Sequence, residues 1–221
     1  MFFFYFLLNE NLIKKSLNQK KMKSRTISDI SEITLDSNLI DIKIAILGKS
    51  LVGKTALSYR FINDKFPSEH DTTIEDQYTI ESEIDGKKCR LEILDTAGQD
   101  DYQSMLDTWI ISADGFILVY SINDKESFED IKVRYERIVQ IKGKNNFCII
   151  IVGNKCDLEN QRKITKDEVE KFCSKSKIKF LETSALNKIN VKESFLYVAK
   201  SLIKVKLNNN DDKIKRRCFC F

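Results

Sequence analysis

The apolar and polar positions divide the chain into three parts. Residues 1–40 open on an aromatic run, Phe2-Phe3-Phe4-Tyr5-Phe6-Leu7-Leu8, and continue as a polar stretch rich in Lys, Ser and Asn. No period is sustained there, so a disordered extension is expected. From Asp41 the pattern changes. Ile42-Lys43-Ile44-Ala45-Ile46-Leu47 is a short β-branched run that stops at Gly48. Gln77 to Ile84 and Lys88 to Leu94 alternate around Asp85-Gly86, a strong hairpin signal. Phe116 to Tyr120 and Phe147 to Val152 are continuous apolar runs, as expected of strands covered on both faces. A last short strand is expected over Ile178 to Glu182.

Helices fill the intervals. Asn123 with Glu126, Thr165 with Glu168, and Asn190 with Glu193 each place a capping residue three positions before a glutamate. Apolar residues follow at helical spacing: Phe128, Ile131, Tyr135 and Ile138, then Val169, Phe172 and Cys173, then Val191, Phe195, Val198 and Leu202. These stripes read as core faces. Strands alternating with helices predict an α/β domain with a mainly parallel sheet and one antiparallel strand. Ligands of such folds sit at the carboxyl ends of the strands.

Composition narrows the function classes. A length of 221 residues, 42% of them hydrophobic, suits one domain with tails. Lys plus Arg, 37, exceeds Asp plus Glu, 33, by four, too small an excess for a nucleic-acid-coating surface. No apolar run approaches the length of a membrane span. Cys89, Cys148, Cys156, Cys173, Cys218 and Cys220 form no CxxC pair, and the single histidine, His70, has no metal-site partner. Reduced thiols in a cytosolic protein are expected. The aromatic start lacks a basic lead and a small-residue cleavage site. It reads as an untidy terminus, as a start preceding a true one at Met22, or as a weak membrane-surface anchor.

Chemistry enters with Gly48-Lys49-Ser50-Leu51-Val52-Gly53-Lys54-Thr55, which fits G-x-x-x-x-G-K-[ST] between a strand and a helix. Backbone N–H groups of such a loop, with the helix terminus behind them, cradle anionic phosphate. Lys54 can reach the terminal phosphates, and the Thr55 hydroxyl can bind Mg²⁺. Asp95, in Leu94-Asp95-Thr96-Ala97-Gly98-Gln99, ends the third predicted strand beside that loop, where a carboxylate can act on the Mg²⁺ shell. Asn154-Lys155-Cys156-Asp157 and Thr183-Ser184-Ala185-Leu186 follow the fifth and sixth strands. An aspartate there can accept from the ring N–H and amino group of guanine, a donor pair that adenine lacks.

Together these motifs resemble the Ras superfamily of small GTPases from about Asp41 to Leu207. Within it, the segments around Asp71-Thr72-Thr73-Ile74-Glu75, Asp100-Asp101-Tyr102 and Ser127-Phe128-Glu129-Asp130 resemble the Ras family proper. The resemblance implies a P-loop NTPase fold, a six-stranded mostly parallel sheet with one antiparallel strand and five flanking helices. It also implies GTP and GDP as ligands, with Mg²⁺. By the same resemblance Gly48, Ser50, Val52, Gly53, Lys54, Thr55 and Ala56 would line the phosphate cradle. Thr73 would join Thr55 and Asp95 on the metal, and the Gly98 N–H would meet the γ-phosphate. Gln99 would orient the attacking water, making Gln99, Lys54 and Thr73 the catalytic set. Phe66, Asn154, Lys155, Asp157, Ser184, Ala185 and Leu186 would surround the base. Implied partners are a nucleotide exchange factor, a GTPase-activating protein and effectors with Ras-binding domains that add to the edge strand; no nucleic-acid partner is implied.

The chain departs from the family at Ser50 and Leu51, where glycines are usual, and at His70, Thr72 and Leu186. Ser50 and Leu51 are expected to weaken stimulated hydrolysis; the alternative reading is a nucleotide-loaded interaction module that hydrolyses little. Residues 208–221 read as a flexible spacer, a basic cluster Lys213-Ile214-Lys215-Arg216-Arg217, and a CaaX-like end, Cys218-Phe219-Cys220-Phe221. A prenyl group on Cys218 plus the basic cluster would supply the two signals that anchoring takes. The expected location is the cytoplasmic face of a membrane, the plasma membrane foremost.

Overall fold

The computed structural model of the chain describes residues 39–67, 75–96, 103–143 and 147–218. In chain order these form β1 (Ile40–Leu47), α1 (Lys54–Asn63), β2 (Glu75–Ile84), β3 (Lys87–Thr96), α2 (Gln103–Ser112), β4 (Gly115–Ser121), α3 (Lys125–Lys142), β5 (Cys148–Asn154), a 3₁₀ turn (Cys156–Gln161), α4 (Lys166–Ser176), β6 (Lys179–Glu182) and α5 (Val191–Cys218). One sheet runs in the order β2-β3-β1-β4-β5-β6. Only the β2–β3 pair is antiparallel. Its turn places Asp85 and Gly86 at φ 50° and 73°, the two left-handed residues that a tight two-residue hairpin requires.

Side-chain alternation along β1 sorts the core into two layers. Ile42, Ile44 and Ile46 point to the face covered by α1 and α5; Ala45 and Leu47 point to the face covered by α2, α3 and α4. Every residue of β4 is buried, because helices cover it on both sides. On the first face Phe61 of α1 stacks on Phe195 of α5, ring centroids 4.1 Å apart. Phe195, Phe116, Phe128 and Tyr120 are fully buried, each contributing roughly 2–3 kcal/mol of apolar transfer. The chain leaves β3 and crosses β1 to form β4, so β1 lies at the point where strand order reverses. A crevice opens there beyond the carboxyl ends of the strands.

Two local readings are corrected. The cap of α3 is Asp124, not Asn123; its side chain accepts from the Glu126 and Ser127 N–H groups, while Asn123 accepts from the Ser121 hydroxyl. Asn190 precedes α5 at φ 50°, and its side-chain amide donates to the Glu182 carbonyl at 2.8 Å instead of capping. The backbone of α5 continues to Cys218, through the stretch read as a flexible spacer. Nothing from Val191 to Cys218 is Gly or Pro, so no residue there interrupts the helical backbone. Thr165 caps α4 as read, accepting from Glu168 N at 3.3 Å.

One core group is poorly accommodated. Among the described residues, the buried Tyr120 hydroxyl has no hydrogen-bond partner, and burial pushes its ionisation well up. Tyr120→Phe removes a desolvated donor at no cost in packing, so urea denaturation should show a gain of about 1 kcal/mol. A loss of that size would mean that the hydroxyl is satisfied in solution.

Candidate functional site

Two glycines shape the loop between β1 and α1. At Gly48 (φ 154°) an added Cβ would lie 2.1 Å from the Val119 carbonyl oxygen of β4. At Gly53 (φ 94°) it would lie 2.5 Å from the Asn154 side-chain nitrogen. The loop is therefore pressed on by two neighbouring strands at once. Leu51 between them is also left-handed (φ 65°), a conformation that costs a non-glycine residue about 1–2 kcal/mol, and its side chain is 88% exposed. Helix α1 then starts at Lys54 with no side-chain cap, so its first N–H groups face the crevice.

Lys54 is buried and folds back over the loop, its Nζ donating to the Gly48 carbonyl (3.0 Å) and the Lys49 carbonyl (3.1 Å). Burial pulls its ammonium down to about 8, against the opposing charge of Asp95. The loop's outer edge is tied elsewhere by Lys49, whose Nζ meets the Glu126 carboxylate at 2.5 Å.

The second loop system reaches the first through side chains. Asn154, the last residue of β5, donates from Nδ2 to the Val52 carbonyl at 2.9 Å and accepts at Oδ1 from the Thr183 hydroxyl at 3.1 Å. Lys155, left-handed at φ 63°, donates to the Leu51 carbonyl at 2.7 Å. Both residues belong to the expected base pocket, yet their polar ends hold the phosphate loop. Asp157 faces the Ser184 hydroxyl, which donates to its Oδ1 at 2.5 Å, and Ser184 Oγ accepts from Asn187 N at 3.0 Å. Ala185 is buried, Leu186 is exposed, and Phe66, exposed as well, lies beside Arg60. Val52, Ala56, Ser50 and Thr55 lie on the loop and the first turn of α1. Thr73, Gly98 and Gln99 fall outside the described residues.

The carboxyl ends of the strands thus carry a phosphate-loop sequence, a buried lysine, a strand-end aspartate and a carboxylate-bearing loop, with direct hydrogen bonds joining the loops after β1 and β5. The family model described as "Ras family" matches residues 43–204. The chain belongs to the Ras family. Its relatives include the Ras-like protein rasB of Dictyostelium discoideum, 43% identical over 162 residues, 73% of this chain and 82% of that one. The Ras-like protein rasS of the same organism is 36% identical over 191 residues, 82% of this chain and 98% of the relative. Ras-related protein R-Ras of Mus musculus is 39% identical over 162 residues, covering 73% and 74% of the two chains. Ras-family proteins are small GTPase switches that bind GTP and GDP with Mg²⁺.

Asp95 tests whether this Ras-family site suits a metal. Its carboxylate is fully buried and neither oxygen makes a hydrogen bond of regular geometry. Burial pushes it up to about 6, with the Thr55 hydroxyl and the Lys54 ammonium pulling against that rise. A buried carboxylate without a hydrogen bond of regular geometry, beside a hydroxyl, fits a small hard cation. Among the described residues no group of three or more His, Cys, Asp or Glu could hold a metal. An ion here would complete its shell with phosphate oxygens and water. Among them, too, no helix is long and apolar enough to cross a membrane.

Motif reading missed Arg60 and Lys49. Arg60 binds main-chain carbonyls 125 and 126 residues away, and Lys49 pairs with a carboxylate 77 residues away; neither spacing carries a local signal.

The Asp95 environment has a consequence for pH. Its folded value lies above the ordinary carboxylate value of 3.8, so the fold disfavours the ionised form. That penalty is absent below about pH 4, grows towards pH 6 and is complete above it. Without nucleotide or Mg²⁺, Asp95→Asn should melt later than the unsubstituted chain at about pH 7.5, with a gain of at most about 3 kcal/mol that closes as pH falls to about 4. Identical melts at the higher pH would contradict a desolvated carboxylate.

Proposed function

We propose that this chain is a GTP/GDP-binding switch with slow, Mg²⁺-dependent hydrolysis of GTP. The observation that carries the reading is the Asn154 lattice, which makes the phosphate loop and the candidate base loop one rigid unit. Gly48, Ser50, Val52, Gly53 and Ala56 frame the phosphates, and Lys54 meets the terminal ones. Thr55, Thr73 and Asp95 would hold the metal. Gly98 offers its N–H to the γ-phosphate and Gln99 orients water. In this class the protein's part is positioning and electrostatics, and a partner's arginine accelerates the step by as much as about 10⁵-fold. Phe66, Asn154, Lys155, Asp157, Ser184, Ala185 and Leu186 hold the guanine. When bound, the metal neutralises charge developing on the phosphate oxygens.

The switch works through partners: an exchange factor, a GTPase-activating protein, and effectors with Ras-binding domains. The open edge of β2 offers its backbone to such a domain. A prenyl group on Cys218, with the basic cluster before it, holds the chain on the cytoplasmic face of the plasma membrane.

Two measurements test this. Denaturing freshly purified protein should release GDP or GTP at about one per chain, and Asp157→Asn should shift preference from guanine to xanthine, which offers a carbonyl where guanine has an amino group. Adenine nucleotide, or none from folded protein, would overturn the base assignment. Cys218→Ser should move the protein from the membrane fraction to the soluble one; unchanged membrane association would exclude the anchor.

A further inference from the structure

Helix α1 carries a second attachment that motif reading does not reveal. From its last turn Arg60 donates through Nε to the Ala185 carbonyl (2.7 Å) and through Nη2 to the Leu186 carbonyl (2.8 Å). Its Nη1 donates to the Asp64 carbonyl at 3.1 Å, and the guanidinium carbon lies 6.0 Å from the centre of the Phe66 ring. All three nitrogens are engaged. A planar fork can meet two consecutive carbonyls at once; an ammonium on a flexible stem cannot reproduce that geometry.

The loop so held is compact. Ser184 and Ile189 exchange backbone hydrogen bonds of 3.1 and 3.0 Å across it. Ser184, next to Ala185, carries the hydroxyl that fixes Asp157. A second tie joins Lys188 to the Asp64 carboxylate at 2.5 Å, with both side chains more than half exposed. Exposed ion pairs contribute little, whereas charge-assisted hydrogen bonds from a guanidinium to main-chain carbonyls contribute more. Arg60 is therefore the dominant connection between α1 and this loop.

We propose that Arg60 is a positioning residue that clamps the Ala185–Leu186 loop to α1 and, through Ser184 and Asp157, sets the residence time and base preference of the bound nucleotide. The proposal rests on the guanine-nucleotide reading above. Because α1 begins at the phosphate loop, one helix holds both halves of the site at a constant separation. Loss of Arg60 loosens the Ala185–Leu186 part of the base loop, whereas the Asn154 bonds to Val52 and Thr183 keep the phosphate half in place. Dissociation should accelerate while hydrolysis of nucleotide already bound stays as it was.

The test uses the full chain loaded with N-methylanthraniloyl-GDP and chased with unlabelled GDP in Mg²⁺. Arg60→Gln should release the label about tenfold faster, with Arg60→Lys between it and the unsubstituted chain. Lys188→Gln and single-turnover hydrolysis of preloaded GTP by the Arg60 variants should stay within about twofold of the unsubstituted values. Inosine diphosphate lacks the amino group that Asp157 accepts from, so the discrimination between GDP and it should narrow in both Arg60 variants; loosening that is merely structural would speed both alike. Arg60→Lys keeps the test open if Arg60→Gln does not fold. Release rates or a GDP-to-inosine ratio unchanged in a folded Arg60 variant would overturn the clamp. An unsubstituted chain that holds no guanine nucleotide would instead overturn the reading on which it rests.

Discussion

The site depends on one buried amide. Asn154 closes β5 and reaches sideways, donating to the Val52 carbonyl and accepting from the Thr183 hydroxyl. Its side chain occupies the space that a Cβ on Gly53 would need. The phosphate loop, the end of β5 and the loop after β6 therefore cannot move independently. A buried amide with both ends satisfied is costly to disturb, because any displacement strands a polar group in a dry interior. Geometry that local sequence would leave loose is held from two strands away.

Around that link the charged groups are arranged at some expense to stability. Lys54 and Asp95 are both buried, and burial shifts each towards its neutral form. Their mutual attraction offsets only part of that penalty. Leu51 adds backbone strain on the same loop, with its carbonyl held by Lys155. Strain and desolvation are thus concentrated at one place in an otherwise well-packed two-layer core, as is common at functional sites. Ligands that bind only the folded chain return that free energy.

The elements of the sheet were legible because their period is local. The continuous apolar runs of β4 and β5 and the Asp85-Gly86 turn each carry a signal within ten residues. Boundaries were less legible. Asn123 and Asp124 are both good caps, and packing of Ser127 against Ser121 selects the second. Asn190 could have capped α5, but the Glu182 carbonyl claims its amide. The end of α5 was least legible, because a polar stretch without Gly or Pro permits either coil or helix.

By itself the sequence determined the chemistry available: the phosphate loop, the strand-end aspartate, two further loops after strands, and the family they belong to. These are runs of adjacent residues, whose meaning survives without coordinates. Tertiary structure alone decided how those runs are joined. Asn154 and Lys155 hold the phosphate loop, Lys49 reaches Glu126, and Arg60 grips two carbonyls of a distant loop. The reason is physical: a main-chain carbonyl has the same identity at every residue, so a side chain that binds one leaves no mark in the sequence of its partner.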